Sequence, residues 1–234
     1  MTTAAMDPSA LQRTARRAGL LYVAMSVLSV IGYMYFPARF IVPGDAAATA
    51  RRITEGAPMY RLSVLSALVG QILFLFVVLE LYQLFKDVDR KQARLMVVLV
   101  CVGVAAEIVN LANHAAPLLL LSGADWLSPF SAAQREALAF GFIRLGGSLG
   151  LIIQAFWGLW LFPFGFLTIR SGFFPRVLGI LLFASGFAYA ATCVASLGFP
   201  SQAQLVSQIM YPLYFGELAM VLWLPTVGAR ARAR

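Results

Sequence analysis

The sequence predicts an all-α integral membrane protein, a helical bundle that crosses the bilayer six times. Of its 234 residues, 61% are hydrophobic and only 12% are charged, and the mean hydropathy is +0.82. A soluble domain is nearer half apolar and a quarter charged. The apolar residues form six runs long enough to cross a bilayer, and short polar segments that carry most of the basic residues separate them.

The six spans are expected at about 19–36, 60–85, 95–121, 138–162, 177–197 and 205–224. They make up a membrane domain of residues 19–224, with a cytoplasmic tail at 1–18 and a basic cytoplasmic tail at 225–234. The first apolar run follows a basic segment, as a signal peptide does. It is long, however, and no cleavage pattern of small residues occurs before Pro37. We therefore interpret this run as an uncleaved first span.

The distribution of basic residues predicts that both termini lie in the cytoplasm. With that orientation, twelve basic residues fall on the inner side: Arg13, Arg16, Arg17, Lys86, Arg90, Lys91, Arg94, Arg170, Arg176, Arg230, Arg232 and Arg234. Five fall on the outer side: Arg39, Arg51, Arg52, Arg61 and Arg135. Because cytoplasmic loops of membrane proteins are enriched in Lys and Arg, this asymmetry favours an orientation with both termini inside. We expect the protein to reside in the cytoplasmic membrane.

Three local features are expected along the chain. Asp45 precedes an Ala-rich segment and can cap a short helix that runs through Ile53. Residues 128–137 resemble a short amphipathic helix at the membrane interface. Pro212 is expected to interrupt the sixth span, because proline has no N–H for the helix ladder.

The third span carries an unusual set of polar residues. At about 100° per residue, Glu107, Asn110 and His114 share one narrow stripe with Gly103, and Asn113 lies at its edge. Polar and ionisable groups are costly in hydrocarbon and normally face other helices or a water-filled cavity. We therefore expect the stripe to point into the bundle.

The fourth and sixth spans supply the predicted partners of this stripe. Arg144 and Ser148 lie in span four, and Glu217 lies in span six. Counting 1.5 Å per residue from the outer ends places Arg144 and Glu217 at depths that an extended arginine can bridge. We predict that these two residues pair, because a lone charge at that depth would be costly. The predicted polar cluster comprises Glu107, Asn110, His114, Arg144, Ser148 and Glu217.

Several kinds of chemistry find little support in the sequence. With one His and two Cys, the chain cannot assemble a zinc site of the usual N and S ligands without carboxylates. His114 and Ser148 could form a base and nucleophile, but no GxSxG or HExxH motif accompanies them. The basic surplus lies at span ends, which favours anionic headgroups over nucleic acid as its partner. We expect no metal, no cofactor and no catalytic residues, and the lipid bilayer as the partner.

Several segments together resemble a known family. They are residues 43–50, 81–90, 158–161, 171–179, 216–218 and 222–224, with Asn110 in span three. In their order and spacing they resemble the DUF4386 family of bacterial multi-pass membrane proteins, over nearly the whole chain. That family is of unknown function, so the resemblance implies a membrane fold and no particular activity.

Three functions remain open for the polar cluster. The first is the binding and transport of a small molecule or ion through a polar centre between spans three, four and six. The second is a structural or regulatory subunit in which the cluster is a dry clasp between helices. The third is an intramembrane enzyme. The first two differ in whether water reaches the cluster, and the sequence leaves the ligand, the direction of transport and the oligomeric state open.

Overall fold

The computed structural model describes residues 7–229 of the chain, which are almost entirely helical and contain no strand. The α-helices are α1 (Pro8–Val30), α2 (Phe36–Phe40), α3 (Ala46–Glu55), α4 (Ala57–Phe85), α5 (Arg90–Leu120), α6 (Ala132–Leu159), α7 (Leu161–Ser171), α8 (Arg176–Gly198) and α9 (Pro200–Thr226). A π-helical segment, Ile31–Tyr35, joins α1 to α2, and a single 3₁₀ turn, Asp125–Leu127, precedes α6.

Six helical stretches in the described chain are long and apolar enough to cross a membrane. They are Pro8–Phe40, Ala57–Phe85, Arg90–Leu120, Ala132–Ser171, Arg176–Gly198 and Pro200–Thr226. The predicted all-α, six-span membrane fold is thereby confirmed. Each helix extends beyond its predicted span at one end or both, because a helix need not stop where its apolar run stops. The division into tails and membrane domain stays a prediction, and the arginines of 230–234 lie outside the described residues.

The expected helix in the first long connection is present. Helix α3 begins at Ala46, and the carboxylate of Asp45 accepts a hydrogen bond of 2.8 Å from the backbone N–H of Ala48. Asp45 itself is in an extended conformation, as an N-cap residue should be. The cap satisfies one of the backbone donors that a helix leaves free at its first turn.

The prediction of a separate amphipathic helix at 128–137 was wrong. The 3₁₀ turn ends at Leu127, residues 128–131 are not helical, and the segment from Ala132 onward is the first part of α6. The reason is a capping box: Ser131 Oγ accepts from the Gln134 N–H at 3.3 Å, and Gln134 Oε1 accepts from the Ser131 N–H at 2.8 Å. This pair starts a helix that continues directly into the membrane span.

The prediction that Pro212 interrupts the last span was also wrong. Helix α9 runs unbroken from Pro200 to Thr226 and contains both Pro212 and Pro225. Membrane helices tolerate proline where neighbouring groups satisfy the freed carbonyls. Helix α7 ends at Ser171, and the following Gly172 is in the left-handed conformation with φ 69°, a common way to terminate a helix.

The chain divides into two compact units. Unit 1 comprises Met1–Ala24, Leu73–Val104 and Leu151–Arg234, and unit 2 comprises Met25–Ile72 and Ala105–Gly150. The core of unit 1 is aromatic: the Tyr22 ring lies 6.2 Å from that of Trp160, and the Phe74 ring lies 5.1 Å from Trp160 and 5.3 Å from Trp157. Tyr22 and Trp160 are fully buried. Such rings supply large contact areas where helices meet.

Glycine permits backbone contact between helices of unit 1. A Cβ on Gly165 of α7 would lie 2.8 Å from the carbonyl oxygen of Gly179 on α8, and one on Gly158 of α6 would lie 2.8 Å from that of Gly186. Small residues at such crossings allow membrane helices to approach closely. The hydroxyl of Ser185 on α8 also donates to the Leu213 carbonyl of α9 at 2.7 Å.

The orientation of the spans stays a prediction, which reporter fusions can test. Fusions in the α4–α5 and α7–α8 turns are expected to report the cytoplasm, since these turns carry the basic residues counted above. Fusions in α3, in the segment before α6 and in the α8–α9 turn are expected to report the outside. A fusion on the opposite side in any of these positions would contradict the orientation.

Candidate functional site

The π-helical segment at the end of α1 shapes one side of a cavity in unit 2. Pro37 follows this segment and has no N–H, so it cannot bond to the carbonyls that precede it in either an α or a π register. In the π register, the carbonyl of Gly32 would face Pro37. The hydroxyl of Ser63 on α4 donates to that carbonyl instead, at 3.0 Å. The irregular turn is thus held in place by a neighbouring helix.

The cavity, here called the His114 cavity, has a volume of about 170 Å³. It is lined by the parts of spans one to four that belong to unit 2. Its polar lining residues are Tyr33, Tyr60, Ser63 and His114. The rest of the wall is aliphatic or glycine and includes Ile41, Val64, Ala67, Leu111, Ile143 and Gly147. An apolar pocket with a few placed polar groups is the usual form of a small-molecule site.

A small apolar cluster adjoins the His114 cavity at the α3 end of the unit. Phe40, Ile53 and Tyr60 are buried together, and the rings of Phe40 and Tyr60 meet edge to face at 5.3 Å. Ile41 and Val64, which line the cavity, pack against this cluster. Helix α3 therefore supplies Ile53 to the apolar packing next to the cavity.

Among the polar residues of the lining, His114 is the one whose side chain forms no hydrogen bond with the described residues. The Tyr60 hydroxyl donates to the backbone carbonyl of His114 at 2.9 Å, and the Ser63 hydroxyl donates to the backbone carbonyl of Gly32. Neither ring nitrogen of His114 has a hydrogen-bond partner within the described part of the chain. The ring meets Tyr33 edge to face at 6.3 Å. An imidazole of this kind keeps both a donor and an acceptor for a ligand.

Glu107 lies next to the cavity and is 5% exposed. Its carboxyl lies beside the Tyr33 hydroxyl and the Asn110 amide. The Gln71 amide donates to the same Tyr33 hydroxyl at 3.3 Å, and Gln71 Oε1 is buried without a hydrogen-bond partner among the described residues. Three helices thus contribute to one buried chain of polar groups.

Asn110 fastens α5 to α6. Its side chain is 1% exposed, and its amide donates to the Gly146 carbonyl at 3.1 Å. The amide of Asn113 in turn donates to Asn110 Oδ1 at 3.1 Å. A Cβ on Gly146 would lie 3.3 Å from the His114 ring, so Gly146 also leaves room for the imidazole. Both polar groups of Asn110 are therefore used inside the protein.

Arg144 and Ser148 lie on an exposed face of α6 in unit 2. The Ser148 hydroxyl donates to the carbonyl of Arg144 within the same helix, at 3.0 Å. The guanidinium of Arg144 forms no ion pair with the described residues of its own unit. Neither side chain is among those that line the His114 cavity.

Glu217 belongs to unit 1, where its carboxyl accepts a hydrogen bond from the hydroxyl of the fully buried Tyr22. Nearby, the Tyr214 hydroxyl is 2.7 Å from Thr192 Oγ1 and accepts from the Gln154 amide at 3.4 Å. The predicted pairing of Glu217 with Arg144 joins residues of different units and stays a prediction.

The structure therefore brings Glu107, Asn110 and His114 together in unit 2, and in unit 1 it places Glu217 against Tyr22. Among the described residues, no group of three or more His, Cys, Asp or Glu side chains could hold a metal ion. Sequence reasoning missed Tyr33, Tyr60 and Ser63, which line the cavity beside His114. Pro37 one turn after Tyr33 was the signal that could have indicated an irregular helix there.

No curated protein matches the chain, and no solved structure does. The family model for the domain of unknown function DUF4386 matches residues 17–228. The match covers nearly the whole chain and includes all six spans, so the resemblance noted in the sequence is confirmed. The chain is a member of the DUF4386 family, whose function is unknown.

Proposed function

We propose that the protein binds a small amphipathic molecule in the His114 cavity and carries it across the cytoplasmic membrane. The observation that carries the proposal is the His114 ring, which lines a cavity of about 170 Å³ and has no hydrogen bond to the described residues. Polar groups inside a membrane domain normally pair with one another. An imidazole left free beside a cavity is therefore available to a ligand.

The volume limits the size of the ligand. An engineered cavity of about 150 Å³ in a soluble protein binds benzene. A cavity of about 170 Å³ accordingly suits a molecule of similar size with one or two additional atoms. Sugars, nucleotides and peptides are too large for it.

The lining limits the chemistry of the ligand. The hydroxyls of Tyr60 and Ser63 are occupied by backbone carbonyls, which leaves His114 as the main polar contact. The remaining wall is aliphatic, so it favours an apolar body that carries one hydrogen-bonding group. A bare cation would need several oxygen or nitrogen ligands. Of the side chains that usually bind metals, namely His, Cys, Asp and Glu, the lining contains His114 alone. We therefore favour a neutral molecule over an ion.

The π-helical segment supports a role in binding rather than in packing alone. Single π turns inside α-helices occur frequently at functional sites. Here the segment carries Gly32 and Tyr33, both of which line the cavity. A change of register at this turn would move Tyr33 relative to His114, which offers a way to couple binding to movement of the first span.

A structural role is the second candidate, and Asn110 favours it. Its amide and its carbonyl both have protein partners, and interhelical hydrogen bonds of this kind are worth about 0.6 to 2 kcal/mol. The two functions are compatible, since Asn110 can hold α5 against α6 while His114 faces the cavity. Ligand binding in the cavity distinguishes them, because a purely structural role requires none.

Binding of two fluorinated probes tests the proposal. The protein in lipid nanodiscs is mixed with 4-fluorophenol or with fluorobenzene, and ¹⁹F NMR measures the bound signal. Wild-type protein is expected to bind 4-fluorophenol more tightly, because its hydroxyl can bond to His114. Gly147→Leu is expected to weaken binding of both probes, because Gly147 lines the cavity and a larger side chain there reduces the space for a ligand.

Two further variants control this experiment. His114→Phe is expected to weaken 4-fluorophenol binding by about tenfold, equivalent to 1.4 kcal/mol, and to leave fluorobenzene binding nearly unchanged. Gly150→Leu introduces the same side chain at an open position of α6 that does not line the His114 cavity, and it is expected to change the binding of neither probe. Equal probe binding by the wild type and Gly147→Leu would contradict the proposal, as would a wild type that binds neither probe.

A further inference from the structure

A second cavity lies in unit 1, where α7 ends and α8 begins, and it is here called the Arg176 groove. It is an open groove of about 520 Å³. Phe166, Ile169 and Phe183 contribute apolar side chains to its lining, and Arg170 and Arg176 contribute positive charge. The groove is lined by residues from the end of one apolar stretch, Ala132–Ser171, and from the next, Arg176–Gly198, both long enough to cross a membrane.

The charge at the groove is positive and only partly compensated. The Arg170 guanidinium pairs with Asp89 at 3.1 Å and lies over the Phe166 ring at 5.6 Å. These two contacts hold it at the edge of the groove. Arg176 is exposed and has no ion-pair partner among the described residues. The lining contains two cations and no acidic side chain.

We propose that the Arg176 groove binds an anionic phospholipid. Arginine binds phosphate through several donors in a fixed geometry, so Arg176 would hold the headgroup phosphate, with Arg170 beside it. The acyl chain would lie along Phe166, Ile169 and Phe183, which a soluble phosphate compound has no means to use. Basic pockets at the ends of membrane helices are suited to anionic headgroups for this reason. The inference is independent of the function proposed for the His114 cavity.

Native mass spectrometry of the full chain in detergent tests the proposal by counting bound lipids. Wild-type protein is expected to retain phosphatidylglycerol and to retain phosphatidylcholine about tenfold less. Arg176→Gln is expected to lower the retained phosphatidylglycerol about fivefold, and Arg176→Lys to restore part of it, because lysine keeps the charge but not the planar set of donors. Arg61→Gln removes another exposed arginine near the end of a span and is expected to change nothing. Arg176 is chosen over Arg170 because its removal breaks no ion pair in the described protein.

Three outcomes would overturn the proposal. Equal retention of phosphatidylcholine and phosphatidylglycerol would mean that the charge of the lipid plays no part in binding. An equal loss in Arg61→Gln and Arg176→Gln would mean that the whole basic surface attracts lipid, rather than this groove. Displacement of the lipid by an excess of glycerol 3-phosphate would assign the site to a soluble anion. Thermal melting by circular dichroism checks each variant, and only those that melt at the wild-type temperature are compared.

Discussion

Replacement of Gly19 by alanine is expected to destabilise the protein by about 1 to 3 kcal/mol, the usual range for overpacking. Gly19 of α1 and Pro225 of α9 are in backbone contact within unit 1. A Cβ at Gly19 would lie 2.3 Å from the Pro225 nitrogen and 2.6 Å from the Leu224 carbonyl carbon. Backbone atoms cannot rotate out of the way as a side chain can, so the two helices would have to separate.

Gly150→Ala is the matched control for Gly19→Ala. Gly150 also lies inside a spanning helix, but a Cβ there would meet nothing within 4 Å. Its replacement is expected to be neutral or to stabilise by up to about 1 kcal/mol, because alanine favours helix over glycine. Unfolding in sodium dodecyl sulfate, followed by tryptophan fluorescence, measures both changes. Equal effects of the two substitutions would contradict the contact between α1 and α9.

Loss of either partner in the Tyr22–Glu217 hydrogen bond is expected to have the second large effect. Tyr22 is fully buried, and its hydroxyl donates to the Glu217 carboxyl. Tyr22→Phe leaves that carboxyl without this donor, and Glu217→Leu leaves a buried hydroxyl without its acceptor. Each change is expected to cost about 1 to 3 kcal/mol. Glu217→Gln keeps an acceptor for Tyr22 and should cost less than Glu217→Leu.

The double variant decides whether these residues act as a pair. Tyr22→Phe combined with Glu217→Leu is expected to cost less than the sum of the two single changes, because no polar group is stranded. Arg144→Leu, measured in the same way alone and with Glu217→Leu, tests the pairing predicted from sequence. Additive effects for Tyr22 and Glu217 together with coupling between Arg144 and Glu217 would reverse the assignment of the partner.

Structural features could be predicted from the sequence where their physical cause lies in neighbouring residues. Six long apolar runs imply six helices, because a backbone in hydrocarbon must satisfy its own hydrogen bonds. The helical period placed Glu107, Asn110 and Gly103 on one stripe, and all three are buried in the structure. The cap at Asp45 depends on its own side chain and on Ala48 three residues later, and it too was predictable.

The remaining features of the site depend on which helices pack against one another, and helical periodicity does not predict that. Tyr22 and Tyr33 lie in an apolar run, where a tyrosine indicates packing or an interfacial belt. Their roles arise from Glu217 and Glu107, which are distant in sequence. The hydroxyls of Ser63 and Tyr60 bind backbone carbonyls, which leave no pattern in the sequence. The pairing of Arg144 with Glu217 was predicted from their estimated depths, and it stays a prediction.

The most direct measurement of the central claim uses the single histidine of the chain. Protein with ¹⁵N-labelled histidine, purified without a polyhistidine tag, gives ring-nitrogen signals from His114 alone. Addition of 4-fluorophenol is expected to shift these signals in the wild type, because its hydroxyl bonds to the imidazole, and to shift them less in Gly147→Leu. Ring signals that do not respond to the probe in the wild type, or that shift equally in Gly147→Leu, would contradict a ligand site at His114.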